Sequence, residues 1–142
     1  MATVTHTSVI TRPPDEVFAA AADPFTQLKW DPGTLKRVEK LGEDGLARGA
    51  RYRGEFKGFG TVEYEFAEYD RPRVFEHTAK VKAGIMRHTL RFEAVPEGTR
   101  LVQEGHLTPN LLGRLMGPML KRGLKTRFAT IGDELQAYLA KG

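Results

Sequence analysis

The chain has 142 residues, enough for one domain that buries about two thirds of the surface of its unfolded chain. It contains no cysteine, which excludes disulfides, zinc–thiolate sites and a cysteine nucleophile. Its 22 Lys and Arg against 18 Asp and Glu give a net charge of +4, and because these charges are spread along the chain they do not indicate nucleic acid as a partner.

The sequence also carries no recognisable membrane or export signal. No apolar run approaches the ~20 residues of a membrane span, and residues 1–10 are too polar for a signal peptide. Together with the lack of cysteine, this predicts a cytoplasmic protein whose single domain covers residues 1–142.

The start of the chain predicts a strand followed by two short helices. Residues 3–10 alternate and are rich in β-branched side chains, as strands are. Pro14 and the two carboxylates after it suit the first turn of a helix, which ends at Asp23 because that residue precedes a proline. A second short helix over residues 25–30 ends in Trp30, which we expect to be largely buried in a corner between the helices.

The middle of the chain predicts a meander of strands. The breaks between the strands are short and rich in Gly or Pro, as hairpin loops are, and strands joined by short loops pair antiparallel. The predicted strands are residues 35–41, 50–57, 61–69, 73–81, 85–95 and 100–108.

Alternation within these strands predicts a sheet with one apolar and one charged face. Tyr52 and Phe56 alternate with Arg and Glu, and so do Tyr64 and Phe66 in the next strand. Later, His88, Leu90 and Phe92 alternate with Arg, Thr and Glu. A sheet with one apolar face needs one covering layer.

The last segment supplies that layer. A helix is predicted over residues 118–140, because apolar side chains recur in it at steps of four and three. Its polar residues, Arg127 among them, fill the other faces. Before it, residues 111–117 contain apolar side chains and two glycines, which predict a kink or a short preceding helix. The resulting fold class is α+β: a curved antiparallel sheet of six to seven strands wrapped around a long C-terminal helix, with two short helices after the first strand.

This geometry predicts a cavity between the sheet and the C-terminal helix, because one helix is too narrow to fill a strongly curved sheet. We expect at least ~300 Å³ there; the alternative is that the same side chains only pack against the helix. Glycine and proline residues near the start of the helix weaken it there. They predict a mobile gate at the cavity entrance, with a rigid kink as the alternative. The predicted ligand-binding residues are Tyr52, Phe56, Tyr64, Phe66, His88, Leu90, Phe92, Leu112, Met116, Met119 and Leu120.

Signals for catalysis are weak. The four histidines are far apart and lack metal-ligand spacing, so no metal and no cofactor is predicted, and no catalytic residue is assigned. His88 lies beside apolar residues and is either a proton-transfer group or a histidine hydrogen-bonded within the wall. No nucleophile elbow, P-loop or dinucleotide fingerprint occurs.

Three motifs nevertheless resemble a known family. They are ITRPPDEVF at residues 10–18, the Asp23-Pro24 and Trp30-Asp31-Pro32 steps, and PEGTRL at residues 96–101. This pattern resembles the START-related SRPBCC superfamily, which contains polyketide cyclases, lipid-transfer domains and plant allergen-like ligand binders. The resemblance covers nearly the whole chain and implies a helix-grip fold with a hydrophobic pocket, but it fixes no activity.

The sequence is compatible with three functions. The first is binding or transport of a hydrophobic lipid-, polyketide- or aromatic-like molecule. The second is a polyketide cyclase or dehydratase that uses the same cavity, with His88, Tyr52 or Tyr64 moving protons. The third is a lipid carrier that docks transiently on membranes through the apolar and basic segment 111–127. A monomer and a homodimer are both compatible with the sequence.

Overall fold

The predicted architecture is confirmed: seven antiparallel strands form one curved sheet with a long C-terminal helix. The structure is a computed structural model that describes residues 2–43 and 45–141; Met1, Asp44 and Gly142 lie outside the described residues. The spatial order of the strands is β1-β7-β6-β5-β4-β3-β2, so the chain meanders from β2 to β7 and β1 closes the sheet beside β7. In chain order the elements are β1 (Ala2–Ile10), α1 (Pro14–Ala22), α2 (Pro24–Trp30), β2 (Leu35–Leu41), β3 (Arg51–Phe56), β4 (Gly60–Asp70), β5 (Val74–Val81), β6 (Gly84–Val95), β7 (Gly98–Pro109), α3 (Leu111–Leu115) and α4 (Gly117–Ala140).

The corner between α1 and α2 is built as the sequence predicts. Asp23 ends α1 and caps α2, since its side chain accepts a hydrogen bond of 2.9 Å from the backbone of Phe25. Trp30 is only 5% exposed and donates its indole N–H to the carbonyl of Ala20 at 2.8 Å. The expected burial of Trp30 is therefore confirmed, and its polar atom is satisfied within the corner.

The kinked start of the C-terminal helix is also present. The short helix α3 is capped by the side chain of Asn110, which accepts a hydrogen bond of 2.9 Å from Gly113, and α4 begins at Gly117. The buried stripe of α4 consists of Leu124, Phe128, Ile131 and Leu135, as the periodicity predicts.

Two glycines allow α4 to approach the sheet. A Cβ atom on Gly132 would lie 2.8 Å from the hydroxyl of Ser8 in β1. A Cβ atom on Gly105 in β7 would lie 2.6 Å from the ring of Phe128. These distances are shorter than side chains tolerate, so glycine at each position sets how closely the helix packs.

Arg127 lies outside the apolar stripe of the helix, as predicted, but the periodicity does not indicate its burial. It is mostly buried and pairs with Asp31, which has no exposed surface at the end of α2. One guanidinium N–H donates to Asp31 at 3.0 Å, and Gln27 donates to the same carboxylate at 3.0 Å. The pair joins α2 to the middle of α4. Local periodicity missed it because the partner lies far away in the sequence.

None of the helices among residues 2–43 and 45–141 combines the length and the apolar composition that a membrane span requires.

Candidate ligand-binding site

The candidate site follows from the register of the strands, because cross-strand partners point to the same face of a sheet. One row of partners on the inner face runs Tyr52, Tyr64, Ala79, Met86 and Leu107. The next row runs Phe66, His77, His88 and Gly105. The side chains of both rows therefore lie on the helix side of the sheet.

One part of the inner face is filled by aromatic rings, and we call it the packed end. Phe18 of α1 lies at its centre, with ring centroids 5.3 Å from Tyr69, 5.6 Å from Phe75 and 5.2 Å from Phe92. Phe66 lies 5.7 Å from Phe75. These contacts leave Phe18, Phe66, Phe75 and Phe92 almost without accessible surface, while Tyr69 is half-buried. The packed end consists of Phe18, Phe66, Tyr69, Phe75, Leu90 and Phe92.

The other part of the inner face is less completely filled, and we call it the open end. Its side chains share a half-buried state although they point toward the helices. Accessible surface on side chains of the inner face indicates space beside them, because close packing would remove that surface. The open end consists of Phe56, His77, Ala79, Met86 and His88.

His88 is held within the wall of the open end. Its Nε2 lies 3.1 Å from the side-chain oxygen of Gln103, whose amide nitrogen donates to the carbonyl of Phe128 at 2.8 Å. The imidazole also stacks on the Phe128 ring at 4.5 Å with only 7° between the planes. Burial lowers the pKa of His88 to about 4, with the Gln103 hydrogen bond acting in the opposite direction. His88 is therefore neutral at physiological pH.

Tyr64 and His77 differ from His88 because their polar atoms lack partners. Their ring centroids are 4.8 Å apart. The Tyr64 hydroxyl and the His77 Nε2 are buried, and neither has a hydrogen-bond partner among the described residues. Burial lowers the pKa of His77 to about 3, and the neighbouring His88 adds to the effect. Burial also raises the pKa of the Tyr64 hydroxyl well above its usual value.

His77 is not among the predicted ligand-binding residues, although the sequence contains a signal for it. Phe75, His77 and Ala79 alternate with Glu76 and Lys80 within the same strand. That alternation places the imidazole on the apolar face, by the argument that selected His88.

The predicted site residues are thus divided by the structure. Phe66, Leu90 and Phe92 lie in the packed end, whereas Tyr52, Tyr64, Phe56 and His88 lie in or next to the open end. Of the helical residues, Met116 and Leu120 are half-buried, while Leu112 and Met119 are 45% and 67% exposed.

Within residues 2–43 and 45–141, no three His, Asp or Glu side chains lie together so that they could hold a metal ion.

Two further cavities open on the molecule, and one of them reaches the open end at Ala79. This cavity, of about 310 Å³, is lined by Tyr64 and Ala79 together with outward-facing residues such as Arg51, Glu65 and Lys80. The other, of about 540 Å³, lies near the β2 edge beside Arg37 and Arg53. Charged side chains line both, so neither is the predicted cavity between the sheet and the C-terminal helix.

Comparison with known proteins identifies the family. The family model for polyketide cyclase/dehydrase and lipid transport matches residues 1–140. A search of curated proteins found no match.

Similar solved structures cover nearly all of the chain. Protein MLL2253 from Mesorhizobium loti is 17% identical with a TM-score of 0.78, over 99% of this chain and 98% of that one. Ara h 8.0201 is 15% identical with a TM-score of 0.78, over 99% of both chains. TTHA0849 from Thermus thermophilus is 22% identical with a TM-score of 0.75, over 96% of this chain and 95% of that one. The likeness at this identity concerns the fold, and the resemblance seen in the sequence is confirmed: the chain belongs to the polyketide cyclase/dehydrase and lipid transport family.

Proposed function

We propose that the protein binds and carries a hydrophobic small molecule, lipid-, polyketide- or aromatic-like, between the sheet and α4 at the open end. The observation that carries this proposal is the accessible surface of Ala79, Met86 and His88 on the inner face of the sheet. Aromatic and aliphatic side chains with a few polar groups are the usual lining of small-molecule sites. Met86 adds a flexible thioether that adapts to ligands of different shape.

Binding is favoured over catalysis by the chemistry of the two histidines. Burial lowers the pKa of His77 to about 3 and that of His88 to about 4. A general acid or base works best when its pKa lies near the working pH, and both imidazoles lie far below it. They are therefore weak proton acceptors that stay uncharged, which suits a ligand-binding wall better than a polyketide cyclase or dehydratase.

The proposal is tested by filling the open end with a larger side chain. Binding of N-phenyl-1-naphthylamine, an apolar fluorescent probe, is titrated against the protein and against Ala79→Phe. We expect saturable binding that Ala79→Phe weakens at least about tenfold, because the new ring occupies the space. The matched control is Ala94→Phe, which adds the same ring at an exposed position of β6 and leaves binding unchanged. Absence of saturable binding, or equal binding by Ala79→Phe, contradicts the proposal.

A membrane surface is a second proposed partner, carried by a separate observation. Leu111, Leu115 and Met119 at the start of the C-terminal helices are 74%, 75% and 67% exposed. Residues 109–126 contain Arg114, three further Arg or Lys, all exposed, and no acidic residue. Exposed apolar side chains among cations complement an anionic bilayer, on which a carrier would load or release its ligand.

This second proposal is tested with lipid vesicles. We expect the protein to sediment with phosphatidylcholine vesicles that contain phosphatidylglycerol, and much less with phosphatidylcholine alone. The double variant Leu111→Ser, Leu115→Ser should lose this binding. The matched control Phe59→Ser removes an apolar side chain that is 48% exposed in the β3–β4 turn and should keep it. If the control loses binding as well, or if a stable dimer buries the leucines instead, the membrane proposal is overturned.

A further inference from the structure

The rings of Tyr64 and His77 are adjacent, and the Tyr64 hydroxyl and the His77 Nε2 are each buried and without a partner among the described residues. Buried polar groups in folded proteins are nearly always hydrogen-bonded, because an unpaired one costs about 1–3 kcal/mol. His88, on the next strand of the same wall, follows that rule through Gln103. The same wall thus holds one histidine with a hydrogen-bond partner, whereas the Tyr64 hydroxyl and the His77 Nε2 have none.

The surroundings of the two groups restrict the chemistry of a partner. From β3 to β7 the two inner rows consist of aromatic, aliphatic and imidazole side chains with Gly105. Charges act on this wall only from outside that stretch: Lys40 continues the first row on β2, Asp23 acts on Tyr64 and Arg127 acts on His88. None of them is hydrogen-bonded to the Tyr64 hydroxyl or the His77 Nε2. A charged ligand group placed between these two atoms would therefore lose its hydration without a paired opposite charge, which is expensive. An uncharged oxygen loses much less hydration free energy. A carbonyl oxygen accepts hydrogen bonds from a hydroxyl or a neutral imidazole, and a hydroxyl can also donate to them.

We propose that Tyr64 and His77 form a polar subsite that holds one uncharged hydroxyl or carbonyl oxygen of an otherwise apolar ligand. This inference rests on the proposed function, because it says what holds the polar end of the ligand proposed for the open end. The Tyr64 hydroxyl donates to the ligand oxygen, and the His77 Nε2 donates or accepts according to its tautomer. The apolar body of the ligand lies against Ala79 and Met86.

The experiment compares three ligands that share one ring system: 2-naphthol, 2-methylnaphthalene and 2-naphthoate. Each is titrated by displacement of N-phenyl-1-naphthylamine from the protein and from the variants Tyr64→Phe and His77→Phe. We expect the protein to bind 2-naphthol about tenfold more tightly than the other two compounds, as one buried hydrogen bond provides. In either variant the ratio of the affinity for 2-naphthol to that for 2-methylnaphthalene should fall toward one. The affinity for 2-methylnaphthalene itself should change little.

The matched control is Tyr69→Phe, which removes the same hydroxyl from β4 at the packed end and should leave the ratio unchanged. Thermal melting of each variant verifies that it is folded. A wild-type protein that binds 2-methylnaphthalene as tightly as 2-naphthol overturns the polar subsite and leaves the proposed function standing. If both Tyr64→Phe and His77→Phe keep the wild-type ratio, the polar subsite is overturned as well. If no compound displaces the probe because the probe itself does not bind, both proposals fail.

Discussion

The packed end and the open end lie on the same face of the same sheet, yet they are built differently. At the packed end, α1 contributes Phe18, which fills the space between Tyr69, Phe75 and Phe92. At the open end, Phe128 of α4 covers His88, while Ala79 and Met86 keep accessible surface. The two regions differ in how completely their space is filled: rings fill the first, whereas the second keeps accessible surface, where the proposed ligand would lie.

The largest expected effect is the loss of stability when the packed end is disrupted. Phe18→Ala should lower the free energy of unfolding by about 3–5 kcal/mol, because it leaves a cavity among rings that cannot close around it. Met86→Ala at the open end should cost at most about 2 kcal/mol, the low end for such truncations, since that side chain is only half-buried. Urea denaturation measures both values. Equal losses would mean that the two ends are packed alike.

The ion pair between α2 and α4 tests how the helix is held over the sheet. Asp31→Asn should cost about 3 kcal/mol, because it removes the nearer of two carboxylates beside Arg127 and leaves only Glu134 at 3.8 Å. The matched control is Asp70→Asn, which breaks the exposed pair with Arg73 and should cost less than about 1 kcal/mol. Denaturation midpoints compare the two variants, and similar losses would contradict a structural role for the buried pair.

The two histidines of the open end predict a pH dependence of stability. Their pKa values in the folded protein, about 3 for His77 and about 4 for His88, lie below the ordinary value of 6.5. Between these limits the unfolded chain binds more protons, so their contribution is complete above pH 6.5 and is lost as the pH falls toward 4. For His88 the loss is on the order of 3 kcal/mol, at about 1.4 kcal/mol per pH unit.

This pH dependence is isolated by difference. Unfolding free energies of the protein and of the double variant His77→Phe, His88→Phe are measured from pH 4.5 to pH 8. The double variant should lose less stability on acidification than the protein does. Parallel curves would show that the histidines are protonated freely in the folded state, and the open end would then be accessible to bulk solvent.

The smallest expected effect concerns the boundary of the open end. Residues 111–120 include two glycines and a proline and expose several apolar side chains, whereas residues 124–135 form the buried stripe of α4. Amide hydrogens should therefore exchange faster in the first segment, and binding of N-phenyl-1-naphthylamine should slow that exchange. If both segments exchange at the same rate and the probe changes neither, the predicted gate is absent and the kink is rigid.

Patterns local in the sequence predict most of the fold. Alternation separates the apolar from the charged side of each strand, and the four-and-three spacing of Leu124, Phe128, Ile131 and Leu135 marks the buried stripe of α4. The Asp23-Pro24 step determines where one helix ends and the next begins. Each of these signals depends only on residues a few positions apart in the sequence, so the sequence alone predicts the structure that it specifies.

Contacts between distant residues were decided only by the tertiary structure. A bulge between Phe66 and Glu68 turns Tyr69 toward Phe18, although strict alternation would point it outward. Arg127 is buried because Asp31 meets it from another helix. The sequence placed His88 on the inner face, but only the assembled sheet gave it Gln103 as a partner and left His77 beside it without one. Strand register and helix docking bring such groups together, and no local pattern of side chains encodes their distances.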